Sequence, residues 1–147
     1  MPKRNVEQEI ESLGRLRDAA PDEAGAALRK ALADRVNLVV AKAARVAAEM
    51  GLRELVPDLA GAFDRLFENA AARDPQCWGK NAIAKALVDL GYRESPPFVR
   101  GARHVQMEAV WGGREDTAAA LRATCLLALP ACTDLTRQQV LRHIWMR

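Results

Sequence analysis

One stretch of the chain decides its fold: residues 79–91, which read GKNAIAKALVDLG. Alanines are interspersed in it with larger apolar residues, a composition typical of a helix that packs closely between other helices. The pattern returns 40 residues earlier in VVAKAARVAAEMG, residues 39–51, and 42 residues later in LRATCLLAL, residues 121–129. A period of about 40 residues with two helices in each unit is typical of a helical solenoid.

Helix signals fill the remaining sequence, and the alternating runs of β-branched and aromatic residues that indicate strands are absent. Helix starts are marked at Pro21, Asp74-Pro75, Ser95-Pro96 and Asp116, and helix ends at Gly51 and Gly91. We expect about eight helices, at roughly residues 5–18, 21–34, 36–50, 52–69, 75–90, 96–109, 116–129 and 134–147. The links 69–74 and 110–115 are predicted to be the most mobile segments.

The composition fits one folded domain. Of the 147 residues, 50% are apolar, which excludes a disordered chain. The N-terminus is charged and no apolar run is long enough to cross a membrane, so we expect a cytoplasmic protein without a signal peptide. The three cysteines, Cys77, Cys125 and Cys132, are expected to be reduced and buried. The alternative is that two of them form a structural disulfide bridge.

Three segments together resemble a HEAT repeat: the leucine-rich residues 52–59 (LRELVPDL), the turn Asp74-Pro75, and residues 80–91 with an alanine-rich centre and a terminal Leu-Gly. Lys80 and Arg122 occupy the basic position of the second helix in successive units. The resemblance covers roughly residues 21–147. The family that the chain resembles includes the HEAT-like repeats of phycobilisome lyases. It implies an all-α, right-handed α-solenoid of antiparallel helix pairs, whose second helices line a concave face. It also implies binding of another macromolecule more often than catalysis.

The same resemblance divides the single domain of residues 1–147 into five parts. They are an N-terminal helix or cap at 1–20, repeats at 21–51, 52–92 and 93–132, and at 133–147 either the start of a further repeat or a C-terminal cap. An apolar stripe in the last part includes Leu141, Ile144 and Trp145. We expect this stripe to fold back as a cap, to pack on another chain such as a second copy, or to continue into a longer array.

Candidate binding residues fall on the expected concave face. Trp78, Asn81 and Lys85 follow one another at steps of three and four, so they share one face of their helix. Trp111 and Arg122 are expected nearby, and Trp and Arg are residue types enriched at binding hot spots. For Trp78 the alternative is a helix-start residue packed under the preceding loop. Trp111, beside two glycines, is expected in an exposed loop.

We expect no catalytic residue, no cofactor and no metal site. The spacing of the Cys and His residues suits no metal, and no phosphate-binding loop is present in the sequence. His104 and His143 are each expected to be surface or packing residues. Arg100 and Arg103 add basic groups beside His104, for which the alternative is a solvated convex face.

The leading functional hypothesis is a non-catalytic protein–protein interaction scaffold that holds a segment of a partner in its concave groove. One rival is a nucleic-acid-binding HEAT-like protein, such as a DNA glycosylase that recognises alkylated bases. The net charge of +3 is low for that role. A second rival, implied by the resemblance, is a lyase or chaperone that acts on bilin-bearing proteins.

Overall fold

Nine α-helices and one β-hairpin make up residues 3–145, the part of the chain that the computed structural model describes. The helices are α1 (Val6–Arg15), α2 (Pro21–Leu32), α3 (Asn37–Glu49), α4 (Val56–Arg65), α5 (Ala70–Arg73), α6 (Trp78–Asp89), α7 (Pro96–Ala102), α8 (Ala119–Ala128) and α9 (Arg137–Trp145). The hairpin strands are β1 (Met107–Val110) and β2 (Gly113–Asp116). The expectation of a mainly helical chain is confirmed, while the predicted terminal segments at residues 1–2 and 146–147 lie outside the described residues.

The helices associate as three pairs side by side. Helix α2 packs on α3, α4 on α6, and α7 on α8. The second helices form a row in which α3 packs on α6 and α6 on α8, and the first helices follow the order α2, α4, α7. Helix α1 packs against α3 at one end of this row, and α9 follows α8 at the other.

Small residues allow the close approach of the second helices. Ala44 of α3 and Ala84 of α6 are fully buried, and larger apolar side chains such as Leu59 and Phe63 of α4 complete the core. Burying each large apolar side chain contributes about 1.5–3 kcal/mol, which is the main favourable term for a stack of helices that are too short to be stable alone.

Helices α3 and α6 end in the same way, 40 residues apart. Gly51 and Gly91 follow them with φ angles of +66° and +78°, a left-handed conformation that favours glycine. In both turns the residue after the glycine donates its N–H to the carbonyl five residues before it, which is the Schellman motif. These hydrogen bonds join Leu52 to Ala47 (3.0 Å) and Tyr92 to Leu87 (2.9 Å). The predicted helix ends at Gly51 and Gly91 are therefore confirmed.

Three aspartates precede the second helices at equivalent positions. Asp74 accepts the backbone N–H groups of Gly79 (2.7 Å) and Lys80 (3.0 Å) and forms a fully buried ion pair with Lys80 Nζ (3.0 Å). Asp116 accepts the N–H of Ala118 (3.0 Å) and pairs with Arg122 (2.6 Å). Asp34 accepts the N–H of Val36 (2.8 Å). The basic positions at 80 and 122 thus bind an aspartate six residues earlier in the chain.

The expectation that strands are absent is wrong for residues 107–116. Strands β1 and β2 pair antiparallel, with Met107 opposite Asp116 and Glu108 opposite Glu115. The predicted helix over 96–109 ends instead at Ala102, because the buried side chain of Gln106 donates a hydrogen bond to the Asp74 carbonyl (2.8 Å) and draws the chain away from the helical path. Gly112, with φ +89°, forms the turn between the strands.

The two predicted mobile links are structured. Residues 110–115 belong to the hairpin, and residues 69–74 contain α5 and the fully buried Asp74. Helix α4 ends at Arg65 rather than near 69, and α6 begins at Trp78 rather than 75. The later start has a local cause: Gln76 and Cys77 both have φ +57°, which is incompatible with a right-handed helix.

Ser95 was expected to cap α7, but its N–H (3.0 Å) and hydroxyl (2.8 Å) donate to Asp134, so it connects the start of α7 to the segment before α9.

The three cysteines are buried as free thiols, as expected. No helix within residues 3–145 has the length and apolar character needed to cross a membrane.

Candidate binding groove

The five predicted site residues occupy four different places. Trp78 and Asn81 line a cavity of about 420 Å³ between the start of α6, the hairpin and the start of α8. We call this cavity the hairpin groove. Lys85 lies further along α6, in a separate cavity of about 240 Å³ between α3 and α6. Trp111 is at the tip of the hairpin, and Arg122 is on α8.

The hairpin groove has a helical wall and a strand wall. Its lining residues are Gln76, Trp78, Asn81, Glu108, Ala109, Val110, Glu115, Asp116, Thr117, Ala119 and Ala120. Trp78 is 47% exposed, so the alternative in which it packs under the preceding loop is only partly met. Trp111 is fully exposed at the hairpin tip, next to the groove residue Val110, in agreement with the expected exposed loop.

Arg122 has structural partners. Its guanidinium pairs with Asp116 (2.6 Å) and donates to the backbone carbonyl of His104 (2.9 Å). The ion pair and the backbone hydrogen bonds from Gln106 and Ala118 hold the pKa of Asp116 far below its usual value. Arg122 therefore fixes the base of the hairpin to α8, whereas the sequence placed it among the binding residues.

A buried hydrogen-bond network anchors the hairpin to the α5–α6 link. Gln106, 3% exposed, is at its centre. Its Oε1 accepts from the Cys77 thiol (3.2 Å) and lies 2.8 Å from His104 Nε2, and its Nε2 donates to Glu108 (3.0 Å) and to the Asp74 carbonyl. Burial lowers the pKa of His104, which favours a neutral imidazole at pH 7.

Glu108 is the anchor on strand β1. Its carboxylate accepts the backbone N–H of Gln76 (2.7 Å) and the hydroxyl of Thr117. Burial acts to raise the pKa of Glu108, but the hydrogen bonds from Thr117, Gln76 and Gln106 outweigh it and lower the pKa below its usual value. Glu108 is therefore a carboxylate at neutral pH, held on the groove side of the hairpin.

The electrostatic character of the groove is negative. Glu115 is exposed and directly opposite Glu108 in the hairpin, so both carboxylates lie on the same face. Neither forms an ion pair with another of residues 3–145. Asp116, the third groove carboxylate, is neutralised by Arg122.

Asn81 carries an unsatisfied polar atom in this groove. Its Oδ1 is buried and accepts no hydrogen bond from the described residues. A buried acceptor without a donor costs about 1–3 kcal/mol, so such an atom requires an explanation in a native structure. Asn81 lines the groove together with Trp78.

The sequence did not predict Glu108 and Glu115 as groove residues or Gln106 as the residue that anchors the hairpin. The signal that could have found them is the glycine pair Gly112-Gly113, flanked by residues 107–110 and 114–117, a spacing that fits a short hairpin. The run was interpreted as a helix end followed by a loop because its strands are only four residues long.

A third cavity, of about 650 Å³, is lined by basic side chains on α7 and directly after it. Arg100 stacks on Phe67 at 4.3 Å and pairs with Asp64 at 3.1 Å, and Arg103 is 3.2 Å from His143 Nδ1. His104 packs edge-on against Phe67, with 4.8 Å between ring centroids. Among residues 3–145, no group of His, Cys, Asp and Glu side chains is arranged to hold a metal ion.

Comparisons of the chain with protein-family models, with curated proteins and with solved structures give no match.

Proposed function

We propose that this chain is a non-catalytic protein–protein interaction scaffold of the HEAT-like type, a right-handed α-solenoid that holds a segment of a partner protein. In this proposal the row of α3, α6 and α8 forms the concave face, and the hairpin groove is the binding site. The observation that carries the proposal is the pair of exposed tryptophans beside this groove, Trp78 at 47% and Trp111 at 102% relative exposure.

Exposed tryptophans support binding because each leaves a large apolar surface in water. Removing such a ring from water on association contributes about 25 cal/mol for each Å² of apolar area. Tryptophan is also among the residues that dominate binding energy at protein interfaces. The apolar side chain of Val110, which lines the groove, is also exposed, so the surface available to a partner extends beyond the two rings.

Nucleic-acid binding is the second candidate function, supported by the basic cavity on α7. Arg100, Arg103 and His104 line this cavity together with the Phe67 ring. Arginine and aromatic groups suit contacts to phosphates and stacking on bases. The ion pair between Arg100 and Asp64 offsets part of that positive charge, which is why the hairpin groove is favoured.

The test of the proposed function is affinity capture from a lysate of the source cells with the wild-type chain and three single variants. Trp78→Ala and Trp111→Ala remove the tryptophans in and beside the groove, and Trp145→Ala, in the apolar stripe of α9, is the control that distinguishes binding at the groove from binding at that stripe. We expect a specific protein that is retained by the wild type and the control and lost in both groove variants, with unchanged helical circular dichroism. Capture of nucleic acid alone, released by high salt, would contradict the scaffold and favour the second candidate.

A further inference from the structure

The hairpin groove fits one kind of partner group. We infer that it binds an arginine side chain on a segment of a partner protein, with the guanidinium stacked on Trp78 and hydrogen-bonded to the carboxylates of Glu108 and Glu115. This inference rests on the proposed function, because it names the chemistry of the segment that the scaffold holds.

Charge is the first argument. Glu108 and Glu115 are direct cross-strand partners, and like charges in this position destabilise a hairpin. A cation bound between the two carboxylates removes that repulsion. Among the described residues, no Lys, Arg or His forms an ion pair with Glu108 or Glu115. The whole chain nevertheless has a net charge of +3. The groove is thus a local negative region on a basic protein.

Hydrogen bonding is the second argument. The groove offers acceptors without donors: the exposed carboxylate of Glu115, and Oε1 of Glu108, whose three hydrogen bonds from Gln76, Gln106 and Thr117 all go to Oε2. A guanidinium carries five N–H donors in a planar fork and accepts nothing, so it can satisfy several of these atoms at once. An anionic or purely apolar group would leave them unpaired.

The indole of Trp78 distinguishes arginine from other cations. A planar guanidinium stacks on an aromatic face and is weakly hydrated, whereas a lysine ammonium is a compact and strongly hydrated point charge. Trp78 is half exposed and lines the same cavity of about 420 Å³ as the two glutamates, so its indole is available to a side chain that binds in the groove. A divalent cation would use the carboxylates but gain nothing from the indole.

The binding test uses short peptides of defined chemistry and ¹⁵N-labelled protein. Acetylated and amidated Gly-Gly-X-Gly-Gly peptides, with X as arginine, lysine or the neutral isostere citrulline, are titrated while the indole N–H signals of the tryptophans are followed by NMR. We expect the arginine peptide to shift the Trp78 signal saturably in the millimolar range, the lysine peptide to bind about tenfold more weakly, and citrulline to give no saturable shift. Added salt should weaken the arginine peptide, because the attraction is between charges near the surface.

Variants assign the shift to the groove. Glu115→Gln removes one carboxylate from an exposed strand position, and Glu7→Gln, an exposed glutamate of α1, is the matched control. We expect Glu115→Gln to weaken the arginine peptide at least about fivefold and Glu7→Gln to leave it unchanged. Trp78→Ala, followed through the backbone amides of the hairpin, should weaken it similarly. An equal response to lysine and arginine, no effect of Glu115→Gln, or displacement of the arginine peptide by calcium chloride but not by sodium chloride of equal ionic strength would each overturn the inference.

Capture with the Glu115→Gln variant separates this inference from the proposed function. If a lysate protein is lost in Trp111→Ala but bound fully by Glu115→Gln, the scaffold stands and the arginine site is wrong. A second outcome is that the protein is lost in both variants and that its bound segment no longer binds when its arginines are replaced. This outcome supports both the scaffold and the arginine site. Failure to capture any protein, together with a saturable arginine shift at Trp78, contradicts the scaffold while supporting the groove chemistry.

Discussion

Gly101 of α7 is in direct contact with Cys125 of α8, so that a Cβ at position 101 would overlap the thiol sulfur. The same Cβ would lie 3.4 Å from Cζ of Phe63, which is fully buried in α4. The close contact of α7 with α8 therefore requires a glycine at position 101. The short distance to Phe63 shows how closely the third helix pair packs onto the second.

Gly101→Ala should destabilise the fold, even though alanine favours helices. Overpacking of a dense core costs about 1–3 kcal/mol, which exceeds the gain of up to about 1 kcal/mol in helix propensity. Urea denaturation measures the difference. Adding Cys125→Ala should restore part of the loss, since it removes the sulfur that the new methyl group meets. Equal stability of wild type and Gly101→Ala would contradict the packing described here.

Lys80→Met should cost about 3–5 kcal/mol, because it leaves the fully buried Asp74 carboxylate without its cation. It also removes the hydrogen bond from Lys80 Nζ to the Leu66 carbonyl (3.1 Å). The matched control is Lys85→Met, on the exposed face of the same helix, which should change stability by less than about 0.5 kcal/mol.

A double-mutant cycle isolates the Asp74–Lys80 pair. The combination of Asp74→Asn with Lys80→Met should be less destabilising than the sum of the single changes, because no uncompensated charge stays buried. Chemical denaturation of the four proteins gives the coupling energy. Strict additivity would mean that the pair contributes nothing beyond its separate parts.

Stability should fall with decreasing pH below about 4, the ordinary range of an unfolded aspartate. The pKa of Asp116 is lowered in the folded chain, first by Arg122 and then by the N–H groups of Gln106 and Ala118, and the pKa of Asp134 is lowered by Ser95. A group with a lowered folded pKa stabilises the fold above its unfolded pKa, and this contribution is lost as the pH falls through its folded pKa.

Asp116→Asn tests the acid dependence directly. We expect a smaller decline of the unfolding midpoint on acidification and, at pH 7, a loss of about 1 kcal/mol from the weaker cap and the lost ion pair. Asp22→Asn, a change of the same charge in the first turn of α2, is the control. The assignment is wrong if Asp116→Asn and wild type decline equally from pH 5 downward.

The thiols should react slowly in the native state. Burial raises the pKa of Cys125 to about 12 and also raises the pKa values of Cys77 and Cys132, so the reactive thiolate is scarce at neutral pH. Titration with a disulfide reagent should show little reaction in buffer and rapid reaction of three thiols per chain in denaturant. A thiol that reacts at once in buffer would contradict the described burial.

The sequence predicted the helices whose ends have local causes. Helices α3 and α6 end at Gly51 and Gly91 because a glycine can adopt the left-handed turn, and this signal is readable in the chain itself. Trp78 and Asn81 were placed on one face of α6 by helical spacing, and the structure brings both into the hairpin groove.

The end of α7 and the hairpin were not predicted from local sequence patterns, because they depend on other contacts. The chain leaves the helical path after Ala102 because Gln106 is drawn to the carbonyl of Asp74, 32 residues earlier, and no local pattern encodes that hydrogen bond. Arg122 was expected to be available for binding for a different reason: its partner Asp116 is only six residues earlier, but it belongs to a strand that the sequence did not predict.

In the hairpin, the residues that attach it to the helices are at its base, and the exposed residues are at its tip. Its base is fixed by Gln106, Glu108 and Thr117, whereas Trp111 and Gly112 at the tip have few constraints beyond the turn itself. Substitutions at Trp111 should therefore change the free energy of unfolding very little. The residues exposed at the tip can change during evolution while the packing of the helices stays the same. Among homologues of this chain, the base should keep its residues, whereas the tip should change only where the bound partner changes.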